Sequence, residues 1–302
     1  MAIYGLAGFG VAAFTPSALS LVSDGAAPGR AGYAFAWYTM AHYGAIAVGP
    51  FLGGLAAQWW GYREAFVGSG IVVAAALVFG WAMPAPAAPA AIPRQGARFA
   101  DIKGNVDVWA GWIVSVGGLT TQGVVFTFFP LLAHERGLTP ATIGLVFLVL
   151  GLANTLARFP AGWLVDRTGR CTPYAVGGVL VASVVTALLP SVPGQMALLA
   201  LAAVFGAVSG TAGVAAGVAL AGAAPPASRG VVMGGYSTPL YLGLALGSFA
   251  LGPVITRHGY PAGFSVGGAA GAVGALIATL LWARGAYWRR RSTVTSSIGR
   301  CS

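Results

Sequence analysis

Long apolar runs, separated by short breaks that contain glycine, proline or arginine, make up most of this chain. An α-helix needs about 20 mostly apolar residues to cross the hydrocarbon core of a bilayer, and these runs reach that length. A transmembrane β-barrel would instead show segments of about ten residues with alternating hydrophobicity. The pattern therefore predicts an all-α integral membrane protein with about nine spans. The predicted spans are residues 3–22, 33–57, 65–84, 108–131, 141–165, 173–191, 195–221, 230–255 and 262–283.

Two stretches are too polar or too rich in proline to cross a membrane. Residues 85–107 contain an Ala/Pro tract followed by Arg94, Arg98 and Lys103, which predicts a linker between two groups of helices. Residues 284–302 form a basic tail after the last span. The predicted units are three helices in 1–84, a cytoplasmic linker at 85–107, six helices in 108–283 and a cytoplasmic tail at 284–302.

The composition supports lipid, rather than water, as the main surroundings. Hydrophobic residues make up 57% of the chain and charged residues 7%, against about 25% charged in a soluble domain. The net charge of +10 comes from bases at span ends, with no solvated basic face carrying aromatics, so nucleic acid is not expected as a partner. When the spans alternate in direction, 12 of the 16 basic residues fall on the side of the linker and tail. The positive-inside rule then predicts a multi-pass protein of the inner cell membrane with a cytoplasmic C-terminus.

Enzyme chemistry is not indicated. Cys171 and Cys301 show no disulfide or metal-site spacing, so neither a metal nor a cofactor is expected. The chain also has no phosphate-binding G-x-x-x-x-G-K-[ST] loop and no plausible Ser/His/Asp cluster within its spans.

An internal repeat relates the first three spans to the last three at an offset of 199 residues. Carriers are often built from duplicated halves. We therefore predict that spans four to nine form one complete six-helix copy and that the other copy has three helices here. The matching pairs are Arg30 with Arg229, Trp37 with Tyr236, His42 with Tyr241, Gly44 with Gly243 and Gly53 with Gly252.

A charged loop joins spans five and six on the predicted cytoplasmic side. It reads Gly162-Trp-Leu-Val-Asp166-Arg167-Thr-Gly169-Arg170. This G-x-x-x-D-R-x-G-R pattern resembles the loop signature of the major facilitator superfamily (MFS), whose carriers consist of two six-helix bundles. In that family the loop braces a cytoplasmic gate, so the resemblance implies that Asp166 faces the start of span eight near Arg229. Glycine at 162 would permit close helix approach and glycine at 169 a tight turn. An ordinary charged turn is the structural alternative.

A second element in span two reads Gly49-Pro50-Phe-Leu-Gly53-Gly54. It resembles the G-P-x-x-G-G element in the fifth helix of many drug and proton antiporters. Gly49 and Gly53 predict a small-residue face for close packing, and Pro50 predicts a kink. Packing alone accounts for these residues, so antiport is left open.

The substrate cavity of the family is lined by the first and fourth helices of each bundle, which here means spans one, four and seven. Gln122 in span four, with Thr121 beside it, is the strongest candidate, because an amide is costly in lipid and useful in a wet cavity. Asn154 in span five is a second candidate. An interhelical hydrogen bond is the alternative role for each amide.

Proton coupling has few candidate groups, since every Asp and Glu lies at a span end or in a loop. His42 is the candidate within the spans because histidine changes charge near neutral pH, with a buried structural histidine as the alternative. Arg158 lies within span five, and we expect it to snorkel or to pair with Asp166 rather than to bind substrate.

Together these features predict a secondary active carrier that moves a small solute across a lipid bilayer by alternating access. Two alternatives remain at this point. One is a transport-inactive fragment of such a carrier, because half of the first bundle is not accounted for. The other is a membrane sensor built on a carrier scaffold.

Overall fold

The computed structural model describes residues 31–82, 102–225 and 237–298, together with the single positions 10, 14, 18, 21 and 232. The rest of the predicted span 3–22 lies outside the described residues, as do Arg229 and nearly all of the predicted linker. The described residues contain helices and turns and no strand. Their helices are α1 (Ala31–Trp60), α2 (Tyr62–Ala82), α3 (Val106–Glu135), α4 (Pro140–Thr168), α5 (Thr172–Leu188), α6 (Gln195–Ala223), α7 (Ser237–Phe249) and α8 (Gly252–Ile298).

The chain is a multi-pass membrane protein. Seven helical segments of the described residues are long and apolar enough to cross a bilayer. Short turns join most consecutive helices, so neighbours along the chain run antiparallel. A 3-10 turn at Leu189–Ser191 follows α5. The predicted fold class, an all-α membrane protein of helical bundles, is confirmed.

The last two helices differ from the predicted spans 230–255 and 262–283. Helix α7 ends at Phe249, and α8 begins at Gly252. Proline at position 253 explains the break, because its ring would clash with the carbonyl of residue 249 and it offers no amide hydrogen. Helix α8 then changes direction at Gly259, whose φ of 80° and ψ of 172° are not helical. It continues past residue 283, so the predicted tail is helical as far as Ile298.

Helices α3 to α8 form one bundle, with α3 packed against α5, α6, α7 and α8. Glycines allow several of these contacts. A Cβ atom on Gly117 of α3 would lie 3.0 Å from the carbonyl oxygen of Gly271 on α8, and one on Gly123 would lie 2.5 Å from that of Leu244 on α7. The core of this bundle includes the buried rings of Phe129, Phe205 and Phe264.

The first two helices join this bundle differently. Helix α1 packs closely on α4, whereas α2 contacts mainly α1 and buries none of its residues. Its tryptophan, Trp81, is 92% exposed within the protein. Helix α2 therefore lies at the edge of the described helices, where an apolar surface of this kind suits contact with lipid.

Candidate functional site between helices α1, α4 and α6

Helices α1 and α4 touch through their main chains. A Cβ atom on Gly144 of α4 would lie 2.6 Å from the carbonyl oxygen of Pro50 and 2.9 Å from the Cα atom of Phe51. One on Gly151 would lie 2.5 Å from the Cα and Cβ atoms of Ala47, which is 1% exposed. Real Cβ atoms do not approach other atoms this closely, so only glycine fits at these two positions of α4. Small residues thus set the distance between the two helices.

The G-P-x-x-G-G element of α1 takes part in this contact, but on a different face from the predicted one. A Cβ atom on Gly54 would collide with the carbonyl group of Pro140 at the start of α4. A Cβ atom on Gly49 or Gly53 would meet no atom of the described residues within 4 Å. Residues 50 and 54 lie about 100° around the helix from residues 49 and 53. The contact face of α1 is therefore offset by one residue from the predicted pair.

Helix α6 holds the other side of α4 in the same way. A Cβ atom on Gly206 would collide with the carbonyl oxygen of Leu150, and one on Gly210 would collide with that of Asn154. The Asn154 side chain is consequently buried, with 8% exposure. Two glycine contacts on different sides fix α4 between α1 and α6.

A polar group occupies the middle of this three-helix contact. The Nε–H group of Arg158 donates a hydrogen bond of 3.2 Å to Oδ1 of Asn154, one turn earlier on α4. The guanidinium carbon of Arg158 lies 3.9 Å from the centre of the Tyr43 ring on α1, a cation–π contact. A Cβ atom on Gly213 of α6 would come no nearer to Arg158 than 3.9 Å, at Nη2. Three helices thus meet at one half-buried arginine.

This arrangement corrects the expectation that Arg158 pairs with Asp166. The guanidinium group points back along α4 to Asn154, whereas Asp166 lies two turns in the opposite direction. Helix α4 has 29 residues, with Asn154 at its midpoint. Helical rise places the Cα atom of Arg158 about 6 Å from this midpoint, well inside a hydrocarbon core about 30 Å thick.

The two other polar candidates on α3 lie in different surroundings. Gln122 is half-buried, and among the described residues its amide forms no hydrogen bond. Thr121 is fully buried, with its hydroxyl donating to the carbonyl oxygen of Gly118 at 2.6 Å and its methyl group facing Gly271 of α8. Thr121 is therefore a packing residue, because it faces away from α4 and into the α3–α8 contact.

An aromatic contact between α3 and α4 shows which residues of α4 lie level with Gln122 along the helix axis. The ring of Phe126 on α3 lies 5.6 Å from that of Phe147 on α4, in an edge-to-face contact. Gln122 is one turn from Phe126, and Gly151 is one turn from Phe147, on helices that run in opposite directions. Gln122 is therefore level with Gly151, about 10 Å along the axis from the Cα atom of Arg158.

His42 adjoins this polar group without belonging to its contacts. Its ring stacks on Tyr38 at 6.1 Å between centroids and meets the edge of Tyr43 at 5.4 Å. The side chain itself is exposed. Histidine at this position is thus linked to Arg158 through the ring of Tyr43, which touches both.

The charged loop after α4 forms a turn at the end of the helix. Gly169 adopts the left-handed conformation, with φ 63°, and its N–H group donates to the carbonyl oxygen of Val165 at 2.8 Å. Asp166, Arg167 and Arg170 are exposed. The guanidinium carbon of Arg167 lies 5.1 Å from the Trp163 ring centre. A Cβ atom on Gly162 would meet no atom within 4 Å, so this glycine makes no close helix contact in the described structure.

Cys171 follows this turn and is half-buried as a free thiol. Burial raises the pKa of the Cys171 thiol, and the negative charge of Asp166 raises it further. The thiol is therefore protonated at neutral pH and reacts more slowly than an exposed cysteine.

Sequence reasoning identified Asn154 but missed Tyr43 and the orientation of Arg158. The signal that could have found the latter was the four-residue spacing of Asn154 and Arg158, which places both on one face of a helix. Nothing in the pattern of α1 points to Tyr43 as their partner. In the part of the chain that the structure describes, no three His, Cys, Asp or Glu side chains lie together in a way that could hold a metal ion.

Comparisons with known proteins agree with this architecture. The sequence profile of the Major Facilitator Superfamily matches residues 1–139 and 111–297. An uncharacterised MFS-type transporter of Methanocaldococcus jannaschii is 28% identical over 171 residues, covering 57% of this chain and 44% of that protein. The alignment thus spans less than half of the relative's length.

A similar fold is found in the crystal structure of a bacterial homolog of the human lysosomal transporter Spinster, in an inward-facing and unoccupied conformation. The TM-score is 0.53 and the identity is 16%, with 88% of this chain and 72% of that chain covered. At this identity the likeness concerns the fold.

Proposed function

Because this chain belongs to the Major Facilitator Superfamily, we propose that it is a secondary active carrier that moves a small solute across a membrane by alternating access. The observation that carries the proposal is the α1–α4 contact. Two groups of helices meet there through glycines and main-chain atoms, with polar side chains at the middle of the membrane. A contact with few interlocking side chains can open and close at low cost, and polar groups at mid-span mark a solute path.

The described conformation suits the inward-facing state of such a carrier. Close contacts join the end of α1 to the start of α4, where the main-chain N–H of Ala141 also donates to Oε1 of Gln58 at 3.3 Å. Towards the other end, a Cβ atom on Gly162 of α4 would meet no atom of the described residues within 4 Å. In this proposal the linker and the charged loop after α4 lie in the cytoplasm. The closed contact, between the end of α1 and the start of α4, is therefore on the outer side of the membrane.

The proposed solute path runs past Gln122 and Asn154, with His42 and Tyr43 on the opposite side. Gln122 has free donors and acceptors among the described residues, as a cavity-lining amide needs. Thr121 is left out because it faces α8. We assign any coupling to protons to His42, whose side-chain type changes charge between pH 5 and 8. Placement in the inner cell membrane, with the C-terminus in the cytoplasm, belongs to the same proposal.

The loop from Gly162 to Arg170 would act as the cytoplasmic gate. Its exposed carboxylate, Asp166, is free to meet a helix N-terminus or Arg229 when the inner side closes, since an anion is favourable near the start of a helix. Opening of that contact would accompany the inward-facing state.

Reconstitution tests the proposed function. The full chain in proteoliposomes is expected to take up at least one member of a panel of labelled organic acids, neutral solutes and organic cations, with saturation as the concentration rises. Uptake should fall when Asp166 is replaced by Asn, at an unchanged amount of folded protein. Folded protein that moves none of the panel above the rate of empty liposomes would refute the carrier assignment.

A further inference from the structure

We propose that Arg158 binds the anionic group of the solute, so that the substrates are small organic monoanions. This inference rests on the proposed carrier function. It concerns the charge of the substrate and the side chain that recognises it, neither of which follows from the alternating-access proposal.

The charge balance of the membrane interior favours an anion beside Arg158. Arginine keeps its charge under all physiological conditions, and a charge within a span is costly unless something compensates it. The described carboxylates all lie at or near helix ends, far along their helices from the midpoint. They are Glu64, Asp107, Glu135 and Asp166. Within the described residues, Arg158 therefore has no counter-ion at its level, and a bound monoanion would supply one.

The orientation of the guanidinium group leaves hydrogen-bond donors for such an anion. Tyr43 covers one face of it, and Asn154 accepts from its Nε–H group. The two Nη groups donate to no described residue, although they carry four of the five hydrogen atoms of the guanidinium group. These atoms form the planar fork that matches a carboxylate with two parallel hydrogen bonds.

The guanidinium group is held in place and can still be reached, because Arg158 is only half-buried. A Cβ atom on Gly213 would lie 3.9 Å from Nη2, an ordinary contact distance, so α6 covers that side of the group. Tyr43 and Asn154 fix the arginine before a ligand arrives, which lowers the entropy lost on binding. The side chain next to the guanidinium group is the aromatic ring of Tyr43, so the rest of the solute is expected to be apolar.

The rival explanation is a structural one, in which Arg158 only fastens α4 to α1 by stacking on Tyr43. Both explanations predict that loss of Arg158 weakens the fold. Only anion binding predicts a preference for charge, because stacking on Tyr43 does not depend on any solute. A test must therefore compare solutes of one shape and different charge.

Ligand-dependent melting of the purified full-length chain in detergent makes this comparison. The probes are benzoate, benzamide and benzylammonium, with hexanoate and hexanamide as an aliphatic pair. We expect the two carboxylates to raise the melting temperature in a saturable way and the amides and the ammonium ion to leave it unchanged. In Arg158→Gln the half-saturating carboxylate concentration should rise about 30-fold or more, since a charged partner is lost. Arg257→Gln, which removes an exposed arginine elsewhere on α8, should match the unaltered protein.

Several results would overturn the inference. These are no stabilisation by either carboxylate, equal stabilisation by the acid and its amide, or unchanged carboxylate binding in Arg158→Gln. If Arg158→Gln does not fold, the acid–amide comparison in the unaltered protein still decides. Uptake of benzamide or benzylammonium without benzoate in proteoliposomes would refute the anion site and leave the carrier function standing. Carboxylate binding that depends on Arg158, without uptake of any solute, would support the anion site and refute the carrier function.

Discussion

Leucine at position 54 is expected to open the outer side of the protein, whereas leucine at the neighbouring position 53 is expected to leave its conformation unchanged. A side chain at 54 must displace the carbonyl group of Pro140, where α1 meets the start of α4, while a Cβ atom at 53 meets no described atom within 4 Å. Overpacking of this kind costs about 1–3 kcal/mol in the state that contains the contact. At about 1.4 kcal/mol for each factor of ten, the balance between the closed and open outer side shifts by about 5- to 150-fold.

Cysteine labelling measures this shift. With Gln122→Cys in a background where Cys171 and Cys301 are serine, a membrane-impermeant maleimide added from outside should react about tenfold faster, or more, in the Gly54→Leu protein. Gly53→Leu serves as the matched control, because it adds the same side chain one residue away. Equal outside rates in the two variants would show that the α1–α4 contact does not close the outer side.

Gly206→Ala is expected to lower the melting temperature of the protein in detergent by about 5 °C. The added methyl group introduces about 2 kcal/mol of overpacking strain, and strain of this size lowers the melting temperature of a domain this large by a few degrees. Its carbon atom would collide with the carbonyl oxygen of Leu150, so α6 would have to move away from α4. Gly210→Ala should act similarly through Asn154.

The control for this prediction lies on the same helix. A methyl carbon at position 217 of α6 would lie more than 4 Å from every atom in the described part of the chain, so Gly217→Ala gains helix propensity without strain. Its melting temperature should stay level or rise slightly. If the Gly206→Ala and Gly217→Ala proteins had the same melting temperature, the close approach of α4 and α6 would not contribute to stability.

The sequence was sufficient for those parts of the fold that depend on hydrophobic length. Helices α3 to α6 begin and end within a few residues of the predicted spans, because an apolar run bounded by turn residues leaves little freedom. The break between Phe249 and Gly252 escaped prediction. Apolar residues continue across it, and proline is tolerated inside many membrane helices, so composition alone does not mark the end of α7.

The packing faces and the polar site depend on which helices meet, and local patterns do not contain that information. The glycines at 49, 53 and 54 lie on two faces of α1, and only contact with α4 selects Gly54 over Gly49 and Gly53. Likewise, the direction of Arg158 depends on Tyr43, which belongs to a helix far away in the sequence. Gln122 and Asn154 could be identified from the sequence because a polar side chain is energetically costly in lipid. The residues that they contact could not be identified in this way.

Two-sided labelling of Gln122→Cys in the same cysteine-free background tests whether the protein works by alternating access. We expect an impermeant maleimide to reach this residue from the inside in inside-out vesicles and, more slowly, from the outside in right-side-out vesicles. The vesicles should hold a proton gradient throughout, which excludes a permanently open pore. Labelling from one side only, or from neither side, would contradict alternating access.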